Sequence, residues 1–148
     1  MVHGEPALGV VYNPASDELR VARCSDNEEP GRQAGEGRYL ALVGYGEEHL
    51  GGVPPLPGNS EIRAVGSVAY RLALVAEGRG DLVVTWYPRQ EWDVAAGAAL
   101  SLAAGLTVTD FLGEPLRFNK PQPLVRGLIV APADLHARVR SYFDEISR

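Results

Sequence analysis

The chain holds a single cysteine, Cys24. An internal disulfide and a multi-cysteine zinc site are therefore excluded, and a lone thiol fits a reducing, cytoplasmic setting. Histidine is scarce as well: His3, His49 and His136 are scattered and show no metal-ligand spacing. Basic residues are in deficit. Lys plus Arg number 14 against 19 Asp plus Glu, for a net charge of −5 and a pI near 5.2. That balance argues against a nucleic-acid polymer or an anionic membrane surface as partner, since both need basic patches. It leaves room for a small phosphate ligand held by one or two arginines and a metal. Long hydrophobic runs are missing too. The longest stretch, 94–108, is rich in Ala and Gly and interrupted by Ser101 and Thr107, which makes it a poor membrane span and a good buried helix leading into a strand. The opening Met1-Val-His-Gly-Glu-Pro has neither the basic start nor the apolar core of a secretory signal. There is no internal repeat and no low-complexity tract.

What is present is an ordinary globular composition, 45% hydrophobic and 22% charged over 148 residues. Length predicts one domain over 1–148, large enough to bury about 68–70% of its unfolded surface. Ala7–Tyr12 reads as a buried strand, 13–17 as a turn, and Glu18–Arg23 as a strand whose period-two alternation puts Leu19 and Val21 on one face. Residues 25–38 are polar and read as loop. Tyr39–Val43 is a strand. Residues 44–60, rich in Gly and Pro, are expected to hold no regular helix, and 61–65 forms a short strand. Ser67 caps a helix carrying Val68, Leu72 and Val75 at helical spacing, closed by Gly78. A strand follows over 81–85, a loop over 86–90, and a helix over 91–104 closed by Gly105. Then come a strand at 106–109, a turn at 110–113 and a last strand at 127–131. Pro132 is expected at the first position of an amphipathic helix running to about Ser147. Helices and strands alternate through the second half, so the fold class is α/β: a layered α-β-α arrangement around a mixed sheet of about five to seven strands, with about three helices.

The stretch with chemical content is Glu91-Trp-Asp-Val-Ala-Ala-Gly97. Asp93 falls in the first turn of a helix, where backbone N–H groups and the macrodipole favour negative charge. By itself, an Asp there is more often a stabilised helix start than a metal ligand. The Ala and Gly that follow permit close backbone approach.

Taken with Gly66-Ser-Val-Ala-Tyr-Arg-Leu-Ala-Leu-Val-Ala-Glu-Gly78, Ala104-Gly105, Thr109-Asp110 and Gly113-Glu-Pro-Leu-Arg-Phe-Asn-Lys120, this block resembles the C-terminal half of the inositol monophosphatase superfamily. That group includes inositol-phosphate phosphatases, bisphosphate nucleotidases and fructose-bisphosphatases. Pro6–Pro14 is similar to the mid-chain hairpin of the same family. The resemblance implies magnesium-dependent hydrolysis of a phosphorylated small molecule. It makes Asp93 a ligand of Mg²⁺ and puts Gly66, Ser67, Arg71, Arg89 and Trp92 on the substrate side. Read without it, Ser67 is a helix cap, Arg71 a solvated helix face, Arg89 a solvated loop charge and Trp92 a packing residue. Trp86 and Tyr87 would stack on a nucleobase or fill the strand-to-helix corner.

The departures from the family pattern are as informative. Its metal chemistry needs several carboxylates converging on magnesium. The Glu-Glu pair and the Asp-Pro-Ile-Asp-Gly-Thr motif that supply most of them are absent from the expected places. Gly46-Glu-Glu-His49 mimics the pair but lies downstream of the hairpin, and reads as a decoy in a loop. An acidic residue common at the position of Ala103 is also missing. The chain is thus expected to be the C-terminal portion of such an enzyme, from a truncated or split gene or a late start codon. Alone it would be inactive, as a homodimer or completed by an N-terminal half chain. The alternative is a non-catalytic interaction or phosphate-binding module on the same fold. A swapped dimer that restores activity ranks last, because only one plausible ligand is available per copy.

Overall fold

The protein is described as a computed structural model covering residues 2–25, 34, 37–49 and 55–146. β1 (Leu8–Asn13) and β2 (Glu18–Arg23) pair as an antiparallel hairpin. β3 (Tyr39–Val43) leads through Gly44 into a one-turn helix, α1 (Tyr45–His49), and β4 (Ser60–Ala64) runs into α2 (Val68–Ala76). β5 (Leu82–Thr85) and the short β6 (Arg89–Gln90) precede α3 (Glu91–Ala103). β7 (Thr107–Thr109), β8 (Leu124–Val125) and β9 (Leu128–Ala131) complete the strands, and α4 (Ala133–Ile146) closes the described chain.

Five strands form a mixed sheet in the order β4-β3-β5-β9-β7, with β4, β3 and β5 parallel and β9 antiparallel to both β5 and β7. Its central strands read as continuous apolar runs, as expected of strands covered on both faces. Leu42, Val83, Val108, Leu128 and Val130 pack on one side against α2 and α3. Ala41, Val43, Leu82, Val84 and Ile129 pack on the other against Leu135, Val139 and Phe143 of α4. Trp86 completes that second face, its ring 5.9 Å from Phe143 and 6.2 Å from Phe111, so it belongs to the corner and not to a ligand surface.

α2 and α3 touch closely because Gly97 has no side chain. A Cβ there would stand 2.5 Å from Leu72 Cβ. Ser67 caps α2 as the sequence indicates, its hydroxyl accepting from Tyr70 N at 3.3 Å. Gly78 and Gly105 follow the ends of α2 and α3 in the left-handed conformation, with φ of 73° and 72°.

The mixed sheet has five strands, within the expected five to seven, and two two-stranded ribbons, β1-β2 and β6-β8, stand beside it. Several expectations need correction. Four helices are present among the described residues, because residues 45–49 of the Gly/Pro-rich stretch do close a helical turn. Pro132 precedes α4 instead of opening it: its carbonyl accepts from His136 N at 2.8 Å. Most of the expected 25–38 loop, and Ser147 at the expected helix end, lie outside the described residues.

The hairpin alternates as the period-two reading demands, with Leu19 and Val21 on one face and Arg20 and Ala22 on the other. Arg20 and Ala22 turn toward the helices, while Leu8, Val10, Tyr12, Leu19 and Val21 are exposed on the outer face. β1 is therefore not a buried strand. Polar bonds dock the inner face. Glu18 accepts from Tyr70 Oη at 2.8 Å and from Arg79 at 2.7 Å, Arg20 pairs with Glu77, and hydrogen bonds from Ser16, Tyr70 and Arg79 hold the Glu18 carboxyl down to about 2. Exposed apolar patches mark interfaces or aggregation surfaces in general.

Two outcomes follow from the packing. Replacing Leu19 and Val21 together by Lys is expected to lower any concentration-dependent self-association of the chain, read by light scattering after size exclusion, while leaving the circular dichroism spectrum intact. Gly97→Ala should destabilise the fold by about 1–3 kcal/mol in urea, because overpacking at the α2–α3 contact outweighs the roughly 1 kcal/mol gain in helix propensity.

Candidate functional site

A cavity of about 540 Å³ opens where the parallel strands β3 and β4 end and the helices α2 and α3 begin. Ligands of open α/β sheets collect at the carboxyl ends of strands, and two helix N-termini here present backbone amides to the same space.

The floor of the cavity is a charged cluster. Arg71, in an otherwise apolar α2, is 2% exposed, and its Nη1 reaches Glu47 Oε2 at 3.4 Å and the Val65 carbonyl at 3.5 Å. Glu47, itself 3% exposed, also accepts from the Gly44 amide at 2.8 Å. Its other oxygen takes Arg89 Nη2 at 2.7 Å and the Thr85 hydroxyl. Arg89 is fixed a second time on Thr85 Oγ1, through Nε at 3.1 Å and Nη2 at 3.0 Å. Gly44 makes this possible: a Cβ there would stand 2.6 Å from Arg71 Nη1. Burial lowers the affinity of Arg71 for its proton; Glu47 opposes that, and the nearby positive charge of Arg89 adds to it. A guanidinium stays charged through such a shift. Two guanidiniums thus share one carboxylate, and Arg71 Nε is buried with no hydrogen-bond partner among the described residues.

Around that floor stand Gly66, Ser67 and Asp93. Ser67 holds a left-handed backbone, φ 54°, where the chain leaves β4 and enters α2. Asp93 is exposed in the first turn of α3. Tyr45 and Tyr87 line the same space, both exposed. Five of the six residues singled out from the sequence, Gly66, Ser67, Arg71, Arg89 and Asp93, therefore come together. Trp92 does not: it is 68% exposed, absent from the cavity lining, and neither packed nor in the site, because its helical neighbours Glu91 and Asp93 take the inward and cavity-facing positions. Arg71 is buried, not a solvated helix face, and Arg89 is tied down, not a free loop charge. Glu47 lies in a helical turn and not in a loop, and it is the hub of the cluster. Sequence reading missed Glu47, Thr85 and Tyr45. One signal was available: a lone Arg in Val68-Ala-Tyr-Arg-Leu-Ala-Leu-Val-Ala76 requires a buried counter-charge.

Glu47→Ala should cost about 3–5 kcal/mol in chemical denaturation, because Arg71 is left charged and buried without its partner. Pairing it with Arg71→Met should recover much of that loss, and the double-mutant cycle measures the coupling.

The whole chain, residues 1–148, matches the model of the inositol monophosphatase family. It is similar to the 3′(2′),5′-bisphosphate nucleotidase CysQ of Escherichia coli (strain K12), with 32% identity over 79% of this chain and 51% of that protein. It is also similar to the fructose-1,6-bisphosphatase/inositol-1-monophosphatase of Thermotoga maritima, with 34% identity over 86% of this chain and 53% of that protein. Among solved structures, inositol monophosphate-bound SaIMPase-II superposes with a TM-score of 0.75 at 21% identity, over 93% of this chain and 57% of that one, a likeness of fold. The chain spans about half the length of the curated relatives it matches. By sequence over its full length and by fold, this chain belongs to the inositol monophosphatase family.

Proposed function

We propose that this chain is the substrate-side portion of a magnesium-dependent phosphomonoesterase acting on a phosphorylated small molecule of the inositol phosphate or nucleotide bisphosphate class. The observation that carries this reading is the convergence of Gly66, Ser67, Arg71, Arg89 and Asp93 on one cavity at the N-termini of α2 and α3. The substrate phosphate lies against those helix starts, where backbone amides and the macrodipole favour an anion. In this reading residues 1–148 act as one unit, equivalent to the C-terminal portion of the family's enzymes. Its setting is the cytoplasm, and its partner is a second copy or an N-terminal half chain docked on the apolar hairpin face. No described helix is long and apolar enough to cross a membrane.

Magnesium demands hard oxygen ligands and is held by one or two carboxylates with substrate phosphates and water. Asp93 offers one such carboxylate. Glu47 does not, since Arg71, Arg89, Thr85 and the Gly44 amide occupy its oxygens. Among the described residues no group of three or more potential ligands gathers. The residues described thus fit one ligand of an incomplete metal site, and no hydrolytic step is assigned to a metal here. Activation of water needs carboxylates beyond this cavity. The engagement of Glu47 also favours a second reading, a non-catalytic phosphate-binding module, in which the same cavity binds without turnover.

The purified chain should show no phosphate release from inositol 1-phosphate or adenosine 3′,5′-bisphosphate with magnesium. Turnover that disappears in Asp93→Asn would overturn this. Magnesium should bind only weakly by titration calorimetry, and Asp93→Ala should change stability by no more than about 0.3–1 kcal/mol, the scale of a dipole interaction.

A further inference from the structure

We propose that His136 and Arg140 of α4 form an acid-sensitive clasp on the edge of the sheet, which holds the turn after β7 closed while the imidazole is neutral and loosens it when the ring takes up a proton. None of its residues lines the cavity, and the clasp is independent of the phosphomonoester reading.

β7 is an edge strand of three residues whose one neighbour in the sheet is β9. Its last residue, Thr109, is buried, as are Asp110 and His136. His136 Nε2 lies 2.8 Å from Thr109 Oγ1, and that hydroxyl also lies 2.8 Å from the Asp110 carbonyl. A hydroxyl carries one proton. With that proton donated to the carbonyl, Nε2 is the donor to Thr109, which assigns the neutral ring to the Nε2–H form and leaves Nδ1 bare. The Asp110 carbonyl also accepts from Gly113 N at 3.1 Å, and the Asp110 carboxylate accepts from the Leu112 and Glu114 amides, each at 2.9 Å. A chain of hydrogen bonds thus runs from α4 through Thr109 into the 110–114 turn. One helical turn after His136, Arg140 lies against the same segment: a Cβ on Gly113 would stand 3.1 Å from Arg140 Nε.

The charges around the ring make this link sensitive to acid. β7 and β9 bring no titratable side chain to α4, only Thr, Val, Leu, Ile and Ala. Asp110 has its carboxylate committed to two amides, Asp134 accepts from the Ala34 amide at 3.4 Å, and Asp144 pairs with Arg140 at 2.8 Å. Among the described residues, neither these carboxylates nor that of Glu114 forms an ion pair with His136. A second proton on the ring, at Nδ1, therefore enters a buried place with no counter-ion and no acceptor, one turn from a guanidinium. Burial lowers the affinity of the ring for that proton, and the positive charge of Arg140 adds to the effect. Turning out to water relieves both, and the ring does so only by giving up Thr109. The folded chain thus takes up the proton less readily than the unfolded one. Stability is full above the ordinary imidazole value of about 6.5 and is lost as the pH falls through it.

The test combines proton NMR titration of the histidine rings of the full chain with urea unfolding, from about pH 7.5 to about pH 5, the range that brackets an ordinary imidazole. The His136 ring, assigned by the loss of its signals in His136→Gln, should titrate below the ordinary value, and Arg140→Gln should move its midpoint upward. Glutamine keeps an N–H for Thr109 and takes up no proton. The unfolding equilibrium constant should therefore rise on acidification by more in the native chain than in His136→Gln, up to a ceiling of about tenfold per pH unit. Amide exchange at Leu112 and Glu114, compared at matched pH, should lose protection in acid in the native chain before the amides of β3 do, and should not in His136→Gln. If that variant does not fold, Arg140→Gln carries the comparison, as the variant with the shallower pH dependence. A His136 ring that titrates at or above the ordinary value, the same pH dependence in native and variant chains, or unchanged protection of Leu112 and Glu114 overturns the clasp.

Discussion

A single carboxylate, Glu47, holds two guanidiniums and a hydroxyl in a region nearly closed to water, and the geometry of the cavity depends on it. Arg71 comes from α2, Arg89 from β6, Thr85 from the end of β5, and Glu47 itself from the turn after β3. Four segments that meet at the ends of three parallel strands are thereby pinned to each other. Desolvating such charges is costly, and replacing a buried ion pair with apolar residues is often neutral or better for stability. The cluster is consequently a poor explanation of why the chain folds and a good explanation of why the cavity floor is polar, positive and rigid.

Folding itself rests on the two apolar layers that sandwich the sheet. One layer, α2 and α3, reaches the sheet closely because Gly97 admits Leu72, and it carries the β1-β2 ribbon on its outer side through polar ties at Glu18 and Arg20. The ribbon's own apolar residues face away from this core. Among the described residues nothing packs on that outer face, and exposed apolar patches of this kind mark interfaces or aggregation surfaces.

The two carboxylates of the site illustrate how environment assigns different roles to the same group. Glu47 is enclosed, and both of its oxygens are spent on cations and donors. Asp93 is solvated at a helix start, with its charge favoured by the dipole and open to a ligand. Only the second stays exposed at the cavity. The Glu-Glu spelling at 47–48 and the Trp-Asp spelling at 92–93 do not distinguish these outcomes; burial does.

Much of the architecture was legible because it depends on local patterning. Apolar runs at 39–43, 82–85 and 128–131, the helical spacing of Val68, Leu72 and Val75, the Ser67 cap and the glycines at 78 and 105 each act over a few residues, and each element formed where those signals stand. Gly66, Ser67 and Asp93 line the cavity, while Trp92 does not. What the chain could not announce locally was which face of an alternating strand would meet the core, so Leu19 and Val21 point outward. Nor could it announce that Glu47 would find Arg71 across 24 residues and Arg89 across 42. Those outcomes arise only when strands are ordered in a sheet and distant charges are brought into a common low-dielectric space, where each must find a partner. Sequence alone therefore determined the elements and the family, by short-range propensity and spacing. Tertiary structure decided which charges are buried, which remain open to a ligand and which surface is left bare, because burial is a property of the assembled layers.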